Sequence, residues 1–500
     1  MKRLQRRDFL RMGAATTATL LTRCARSPSK SSNVVVQPSS GPIQLQTHSS
    51  ESGLLRLDLA AKPQTISIGD RPANLLVYNG QLPGPLLEAN PGDTVQLNFT
   101  NQLAQPTNLH FHGLHIPPTG SGDDVFLEIL PGEKHTYEFQ IPSDHPAGTF
   151  WYHPHYHGLV AEQLFGGLAG LFIVRGPLDD IPEIKAASES FLVLKDFAFD
   201  HQGNIPNPGH MAQMRGRIGD VLTASGQVNP SLSVAPGGLL RLRLLNASSS
   251  RYFQLFLEAH ELYLIATDGG AIAAPISLSQ LILAPGERAE VLVKGDQSPG
   301  EYRLLNQPFN PARGQVGSGI MGDRMGGMMG SQSSGRTETV ATLSYSKEAK
   351  SVPLPTQLIP VAALPEAQTT RQFTLNHGMG RGMAGGMGGG MVFLINDQAF
   401  DHSRVDTQVQ LGTIEDWEII NTGTMAHPFH VHVNKFQIIS RNGEPVPYAA
   451  WKDVVSVSPG ERVKLRMAFR DYAGKTVYHC HVLDHEDLGM MGTLEILAEI

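Results

Sequence analysis

The chain has 500 residues and an ordinary globular composition, with 41% hydrophobic and 17% charged residues. Its length predicts two to four domains with sizeable cores, and its formal net charge of -7 at pH 7 argues against a nucleic-acid partner. Only two cysteines are present, Cys24 and Cys480, which argues against a disulfide framework.

The N-terminus resembles an export signal. Residues 1–30 hold eight Lys/Arg and a single acid, and the run RRDFL at 6–10 resembles a twin-arginine signal, so we expect export to a periplasmic or extracellular location. The alternatives are a disordered basic tail, or lipid attachment at Cys24, for which the preceding Arg23 is a poor fit. No other segment is apolar for long enough to be a transmembrane helix.

The next segment, residues 31–53, is rich in Ser, Pro and Gln and predicts a flexible linker. Beyond it, short runs of alternating apolar and polar residues are separated by Gly, Pro, Asn and Asp, which is typical of an all-β sandwich or barrel architecture. Similar segments recur along this body. We therefore predict three domains at 54–178, 179–345 and 370–500, with a linker at 346–369.

Two kinds of segment occur once in each unit. The first is a turn followed by an alternating strand that ends in Asn: PGDTVQLNFTN (91–101), PGGLLRLRLLN (236–246) and LGTIEDWEIIN (411–421). The second is a later PGE turn with its strand: PGEKHTYEF (131–139), PGERAEVLV (285–293) and PGERVKLRM (459–467). These matches predict that the three units share one topology.

Histidines occupy matching positions in the first and third units. The positions nine and eleven residues after the Asn that ends the first segment hold His110 and His112 in the first unit and His430 and His432 in the third. In the middle unit they hold Leu255 and Leu257. The positions five and seven residues after Gly148 hold His153 and His155, and those after Gly474 hold His479 and His481. The equivalent positions after Gly300, in the middle unit, hold Leu305 and Gln307. The middle unit therefore lacks both His-x-His pairs.

Residues i and i+2 of a strand point to the same face, so each His-x-His pair directs two imidazoles to one side. Pairs at equivalent positions predict a metal site between the first and third units, with the middle unit as a spacer. The alternative is a set of unrelated surface or core histidines, which would not explain why the middle unit has none of the pairs.

Cys480 stands between His479 and His481 and must face the opposite side of its strand. It therefore belongs to a second site. Its predicted companions there are His427, His485 and Met490. A thiolate, two imidazoles and a weak thioether are the ligands of a blue-copper electron-transfer centre. The backbone from Cys480 to its two neighbours would connect this centre directly to the histidine cluster.

Eight imidazoles are too many ligands for one zinc ion, which binds four protein ligands or three with a water. Zinc is also redox-inactive and could not accept electrons from a blue-copper centre. Three copper ions fit the eight histidines, and with the blue copper they supply the four electrons that convert dioxygen to water. The sequence thus predicts four copper ions per chain.

Four motifs resemble those of the three-domain multicopper oxidases, which include bacterial laccases and copper-efflux cuprous oxidases: HFHG (110–113), WYHPHYHG (151–158), HPFHVH (427–432) and HCHVLDHEDLGMM (479–491). The resemblance covers roughly residues 54–500 and implies three cupredoxin-like Greek-key domains. It assigns the type 1 copper to His427, Cys480, His485 and Met490, and the type 2 copper to His110 and His430. It assigns the type 3 pair to His112, His153, His155, His432, His479 and His481. It gives no ligand role to His157 or His115.

Reduction of dioxygen to water consumes four protons, which requires acids near the cluster as relays. The resemblance implies this role for Glu486, which directly follows His485. Asp123, in GSGDDVF, is the candidate for a relay aspartate, with Asp124 as its rival. A solvated surface position is the alternative for Asp123.

Two Met-rich segments, 320–330 and 376–391, lie apart from the copper motifs. They contain Met321, Met325, Met328, Met329, Met379, Met383, Met387 and Met391. Their many glycines argue against a stable helix or packed core, so a flexible linker with incidental methionines is the alternative. Thioethers select Cu(I), and the resemblance to cuprous oxidases places Met425 at a substrate-copper site. Gly423 replaces the acid expected there, for which Asp323 is a candidate substitute.

The predicted substrates are dioxygen and a reducing donor, which is Cu(I), a phenol or both. The axial Met490 implies a moderate type 1 potential, which suits these donors. The alternatives are a general laccase acting on phenols, a copper storage or delivery protein, a copper nitrite reductase, and a copper-free structural protein of this fold. A structural protein would be expected to have lost ligands, whereas every motif position is filled here. We expect a monomer.

Overall fold

The computed structural model describes residues 35–36, 41–310, 336–379 and 391–498. The export signal, Cys24 and Asp323 lie outside these residues, as do Met321, Met325, Met328, Met329, Met383 and Met387. All the described residues belong to one compact unit, Val34–Ile500. Among them, no helix combines the length and apolar character needed to cross a membrane.

The first ten strands form two sheets around one core. They are β1 Val35–Val36, β2 Thr47–Ser49, β3 Leu54–Ile68, β4 Arg71–Tyr78, β5 Gly84–Ala89, β6 Thr94–Asn101, β7 His110–His112, β8 Lys134–Gln140, β9 Gly148–His153 and β10 Gly170–Val174. One sheet has the order β1-β3-β6-β8 with β4 beside β3, and the other has the order β2-β5-β10-β9-β7. Aromatic side chains of both sheets, such as Phe99 and Phe172, meet in the core.

The next eleven strands form a second sandwich. They are β11 Ser188–Phe197, β12 Val221–Ala224, β13 Ser231–Val234, β14 Leu239–Asn246, β15 Phe253–Leu257, β16 Leu262–Thr267, β17 Gly270–Leu278, β18 Leu281–Leu283, β19 Arg288–Lys294, β20 Glu301–Gln307 and β21 Glu338–Tyr345. The sheet orders are β12-β11-β14-β19-β16-β17 and β13-β21-β20-β15-β18. Leu and Val side chains dominate its core.

The last twelve strands form a third sandwich. They are β22 Thr369–Met379, β23 Met391–Ile395, β24 Thr407–Gln410, β25 Ile414–Asn421, β26 His427–Val431, β27 Phe436–Arg441, β28 Glu444–Pro445, β29 Trp451–Lys452, β30 Val454–Val457, β31 Arg462–Ala468, β32 Gly474–Cys480 and β33 Met491–Leu497. The sheet orders are β23-β22-β25-β31-β27-β28, with β29 beside β27, and β24-β33-β32-β26-β30.

Helix is confined to short segments in the described residues. These are α1 Val160–Phe165, α2 Pro182–Ala186, α3 His210–Arg215, α4 Leu483–Asp487 and a 3₁₀ turn at Pro177–Asp180. The all-β prediction is therefore confirmed. Alternating hydrophobic patterns such as VQLNF place apolar residues on the inner face of each sheet and polar residues on the other.

The repeated sequence segments occupy equivalent strands. β6, β14 and β25 end at the three aligned asparagines and pair antiparallel with β8, β19 and β31. The side-chain amide of each asparagine donates to two backbone carbonyl groups further along its own unit, as Asn101 does to Gln105 and Ile129. This shared amide bridge explains why Asn recurs at the position.

Two segments predicted as linkers are better ordered than expected. The flexible linker predicted at 31–53 is corrected in its second half, because β2 lies within it and pairs in parallel with β5. Residues 346–368 form neither helix nor strand, but Leu358 is only 8% exposed and packs into the second core. The backbone N–H of Leu364 also donates to Gln437 at 3.0 Å. Backbone hydrogen bonds and apolar burial hold both segments in place.

Strand β14 carries two arginines that are buried. Arg241 and Arg243 are 3% and 0% exposed. Arg243 contacts Glu189 and Glu290 at 2.7 Å each, and Arg241 contacts Glu290 at 2.6 Å. The alternating run LRLRL therefore lies between an apolar core on one side and a buried network of ion pairs on the other.

We expect Arg243→Ala to lower the free energy of unfolding by about 3 kcal/mol, because it removes the shared partner of the buried carboxylate of Glu290 and the partly buried carboxylate of Glu189. Arg303→Ala is the matched control, since Arg303 pairs with Glu258 at the surface and its side chain is 57% exposed. Its loss should cost about 0 to 1 kcal/mol. Denaturant unfolding measures both values, and equal losses would contradict the buried-network interpretation.

Candidate metal centres

Four strands bring the eight paired histidines together. β7 and β9 are neighbours in the first sandwich, and β26 and β32 are neighbours in the third. The strand registers place His110 opposite His153 and His430 opposite His479. None of the eight residues is more than 1% exposed. The two His-x-His pairs of the first sandwich thus meet those of the third, as the sequence predicted.

These histidines form three groups, and within each group one ring nitrogen of each residue lies within 4.8 Å of one ring nitrogen of each of the other two. The groups are His110, His112 and His430; His112, His153 and His481; and His155, His432 and His479. His112 belongs to the first two groups, so these two groups adjoin, and the three groups together contain all eight imidazoles. The number of copper ions that they bind stays a prediction.

The short distances between ring nitrogens of different histidines are those expected of a metal site. Nε2 of His479 lies 3.2 Å from Nε2 of His155 and 3.1 Å from Nε2 of His432, so their lone pairs repel unless a proton or a metal ion lies between them. Burial, followed by repulsion among the imidazoles, holds the pKa of His110 well below its usual value. Neutral imidazoles are the form that binds metals. Both ring nitrogens of His481 also lack a hydrogen-bond partner among the described residues.

Asp123 is fully buried and contacts the cluster. Its carboxylate lies 2.8 Å from Nδ1 of His110 and 3.5 Å from Nδ1 of His432. Burial raises the pKa of Asp123 to about 7. Its rival, Asp124, is half-buried and accepts a hydrogen bond from a backbone N–H of its own turn. The surface alternative for Asp123 is therefore wrong, while its role as a proton relay stays a prediction.

Glu486 lies on α4 and is also fully buried. Its Oε2 lies 3.0 Å from Nδ1 of His479, and its Oε1 lies 3.6 Å from Nε2 of His155. Desolvation acts to raise the pKa of Glu486, but attraction to His479 and His155 outweighs it and lowers that pKa to about 2. The structure thus places both acids proposed as relays against the histidine cluster.

A third buried acid, Asp453, contacts the cluster and was not indicated by the motifs. Its Oδ1 lies 3.1 Å from Nε2 of His112, and its backbone C=O accepts a hydrogen bond from Nδ1 of His430 at 2.8 Å. The other ring nitrogens face the cluster: Nδ1 of His112 lies 3.4 Å from Nε2 of His153, and Nε2 of His430 lies 3.4 Å from Nε2 of His110. Arg288 donates to both carboxylate oxygens of Asp453. The sequence shows only an acid before an apolar strand, which does not reveal these partners.

Cys480 forms a second site on the opposite side of β32. Its Sγ lies 3.4 Å from Nδ1 of His427 and 3.9 Å from Nδ1 of His485, and those two nitrogens are 3.3 Å apart. Met490 is buried in the same core as Cys480. Desolvation raises the pKa of the thiol well above its usual value, so a thiolate here needs a bound cation. One sulfur and two nitrogens in this arrangement fit copper of the blue-copper type.

The two imidazoles of this second site have different surroundings. Phe393 stacks on His485 with 3.8 Å between ring centroids, and Nε2 of His485 donates to the backbone C=O of Met214 at 3.2 Å. Among the described residues, Nε2 of His427 has no hydrogen-bond partner. His485 is thus fixed by its neighbours, while His427 presents an unpaired nitrogen.

A further histidine lies beside His427 and outside the copper motifs. A Cβ atom at Gly423 would lie 3.5 Å from Nε2 of His427 and 3.6 Å from Nδ1 of His377. Nδ1 of His377 also lacks a hydrogen-bond partner within the described ranges. The position where the family resemblance led us to expect an acid therefore adjoins two unpaired imidazole nitrogens. The motifs missed His377 because it belongs to none of the repeated pairs.

Three of the predicted substrate methionines lie on described backbone. Met425 is partly buried and packs against the core that contains Cys480. Met391 begins β23 and pairs with Met379 at the end of β22, so the two ends of the second Met-rich segment are adjacent. Phe393, which stacks on His485, is two residues beyond Met391. These strand ends therefore lie close to the second site.

Comparisons with protein-family models give three matches described as multicopper oxidase, at residues 60–179, 191–321 and 365–499. The chain is 30% identical over 432 residues to "Multicopper oxidase mco" of Staphylococcus haemolyticus, which covers 85% of this chain and 84% of that protein. It is 33% identical over 436 residues to "Cell division protein FtsP" of Xenorhabdus nematophila, which covers 84% of each.

Solved structures with a similar fold were also found. A multicopper oxidase of Campylobacter jejuni, described as a metallo-oxidase, is 31% identical with a TM-score of 0.77, covering 93% of this chain and 96% of that one. A laccase-like multi-copper oxidase, CueO, of Ochrobactrum sp. is 28% identical with a TM-score of 0.76, covering 91% and 100%. These matches extend over all three sandwiches.

Proposed function

This chain belongs to the multicopper oxidase family, and we propose that it couples one-electron oxidation of a reducing substrate at a type 1 copper to four-electron reduction of dioxygen to water at a trinuclear copper cluster. It is an oxidoreductase built from cupredoxin-like sandwiches. The observation that carries the proposal is the arrangement of the twelve predicted ligands in two buried sites on opposite sides of one strand.

The copper ligands are proposed as the family resemblance implied. The type 1 ion would be held by His427, Cys480, His485 and Met490. The type 2 ion would be held by His110 and His430. The type 3 pair would be held by His112, His153, His155, His432, His479 and His481. The neutral imidazoles and the soft thiol of this donor set fit copper.

The surrounding residues would orient the ligands and move protons. Cys480 is bonded through the backbone to His479 and His481, which gives a covalent path from the type 1 site to the cluster. Complete burial excludes bulk water from both sites. Asp123, 2.8 Å from Nδ1 of His110, and Glu486, 3.0 Å from Nδ1 of His479, would exchange protons there.

We favour Cu(I) as the reducing substrate because soft donors pack beside the type 1 ligands. Met391 from β23 and Met425 from the turn before β26 lie against the same core as Cys480. The unpaired Nδ1 of His377 adds an imidazole beside His427. Thioethers and imidazoles bind Cu(I) well, and a carboxylate at position 423 would then be unnecessary.

His377→Ala is expected to raise the KM for Cu(I) by about tenfold, the effect of losing roughly 1.4 kcal/mol of binding. Turnover of a methoxyphenol should change little, because a phenol does not need a metal ligand. Asn376→Ala is the matched control, since Asn376 is adjacent in β22 and its side chain contacts Asp397. Steady-state oxygen uptake measures both donors. An equal rise in KM for Cu(I) in both variants would contradict the assignment.

Oxygen uptake by the copper-loaded protein tests the proposed function. Chelator-buffered Cu(I) is compared with a methoxyphenol, with and without added Cu(II). Fast turnover of Cu(I), with phenol oxidation weak unless copper is added, would support a cuprous oxidase. Strong phenol oxidation without added copper, together with slow Cu(I) turnover, would instead identify a general laccase.

A structural or copper-storage role is the alternative from another class, and the similarity to cell division protein FtsP raises the first of these. Neither role requires a buried thiol site joined to eight converging histidines. Copper analysis after loading and desalting separates the three functions. Four retained ions with oxygen turnover support the oxidase, many labile ions without turnover support storage, and no retained ions support a structural protein.

A further inference from the structure

The three units contain one turn in three copies. In each copy the backbone N–H of the turn glycine donates to the aligned asparagine C=O, at distances of 2.7 to 2.9 Å. The following glutamate accepts a hydrogen bond from a backbone N–H three residues before it: Glu133 from Leu130, Glu287 from Ala284, and Glu461 from Ser458. The turn glycines Gly132, Gly286 and Gly460 all have positive φ. The local conformation is therefore the same in all three units.

The surroundings of the three turn glycines differ. A Cβ atom at Gly132 or Gly460 would meet no atom within 4 Å. A Cβ atom at Gly286 would lie 2.9 Å from Cδ2 of His481, one of the cluster histidines. The turn of the middle unit, which carries no ligand of its own, is thus packed directly against an imidazole of the cluster.

The basic residue after the glutamate differs in the same way. Lys134 and Arg462, in the first and third units, are exposed. The equivalent Arg288 of the middle unit is 1% exposed. It donates to both carboxylate oxygens of Asp453 at 2.6 Å each, in the two-pronged geometry that only arginine provides.

Arg288 links all three units. Beyond Asp453 of the third unit, its guanidinium donates to the backbone C=O of Thr149 in the first unit at 3.0 Å. It also donates to the C=O of Gly286 at 3.1 Å and of Asp268 at 2.9 Å, both in its own unit. Every guanidinium nitrogen therefore has an acceptor, and the side chain is held rigidly.

Asp453 connects Arg288 to the histidine cluster. Its side chain contacts His112 of the first unit, and its backbone C=O accepts from His430 of the third unit. A carboxylate that accepts from the outer nitrogen of a metal-binding imidazole fixes both the tautomer and the ring orientation. Because Arg288 holds both oxygens, Asp453 cannot rotate away from His112.

We infer that the Gly286–Arg288 turn of the middle unit positions the cluster histidines. Arg288 acts through Asp453 on His112 and His430, and Gly286 leaves room for His481. The inference rests on the proposed copper cluster. The middle unit is then more than a spacer, because it supplies the turn against which ligands from the other two units are oriented.

Arg288→Lys tests the inference, with Arg462→Lys as the repeat-equivalent control. Lysine keeps the charge but cannot hold both oxygens of Asp453. We expect Arg288→Lys to keep the type 1 absorption, to change the electron paramagnetic resonance spectrum of the type 2 copper, and to slow reoxidation by dioxygen by about 10- to 100-fold. Arg462→Lys should match the unaltered protein in all three measurements.

Gly286→Ala and Gly460→Ala form a second matched pair. Both glycines have positive φ, so both variants carry a similar backbone strain, and only Gly286→Ala also presses on His481. We expect only Gly286→Ala to lose copper from the cluster, as measured by metal analysis. This pair keeps the test decisive if Arg288→Lys does not fold.

The outcomes separate this inference from the proposed function. An unaltered protein that retains copper only at the Cys480 site would overturn the proposed function and the inference with it. An unaltered protein with four ions, and Arg288→Lys and Gly286→Ala variants that both behave like their controls, would overturn the inference alone.

Discussion

Cys480→Ser is expected to abolish oxygen uptake with either Cu(I) or a methoxyphenol, while the histidine cluster still binds copper. A hydroxyl oxygen is a hard donor and cannot replace the soft thiolate that a blue-copper site requires. Cys480 lies on the opposite side of β32 from the eight imidazoles, so their positions should not change. We expect loss of the visible type 1 absorption, three bound copper ions in place of four, and oxygen uptake as low as that of metal-free protein.

Met490→Leu is the companion variant for this experiment. Met490 is equally buried beside Cys480, but an axial thioether is a weak ligand that tunes the redox potential and is not required for binding. This variant should keep its visible absorption and show a higher type 1 potential. Oxidation of the methoxyphenol that persists in Cys480→Ser would mean that electrons reach the cluster by a route other than Cys480.

The histidine cluster could be predicted from the sequence because its information is local and repeated. A strand places residues i and i+2 on one face, so His110 and His112 must act together, and the equivalent pair in the third unit repeats the signal. The same rule placed Cys480 away from His479 and His481. Burial of Asp123 could not be predicted, because an acid in a glycine-rich turn looks the same whether it faces solvent or a core.

The residues that the sequence did not reveal meet their partners through tertiary contacts. Arg288 and Asp453 act between units, and no spacing rule connects positions such as 112 and 453. His377 lies beside His427 within the third unit, on a different strand. Arg288 is instructive because Arg462 fills the same repeat position and is exposed. The same four residues, PGER, thus give different burial of the arginine, depending on what packs against the turn.

The second large effect is expected from the two buried carboxylates beside the cluster. Glu486→Gln and Asp123→Asn keep the side-chain shape but cannot carry a proton. Loss of a positioned proton relay typically costs about 10²- to 10⁴-fold in rate. Each acid contacts a cluster imidazole, Asp123 at 2.8 Å from His110 and Glu486 at 3.0 Å from His479. We therefore expect each variant to reduce dioxygen slowly while retaining its copper.

Separate half-reactions distinguish a proton relay from general damage. Anaerobic reduction of the type 1 copper by substrate should proceed at the normal rate in both variants, because in the described structure the two carboxylates pair with imidazoles of the cluster and not with side chains of the Cys480 site. Reoxidation by dioxygen should be slow and should show a larger solvent deuterium isotope effect. Asp124→Asn is the matched control, since Asp124 adjoins Asp123 but bonds to its own turn, and it should reoxidise normally. If Asp124→Asn slowed reoxidation as much as Asp123→Asn, the effect would come from the local negative charge and not from a relay at His110.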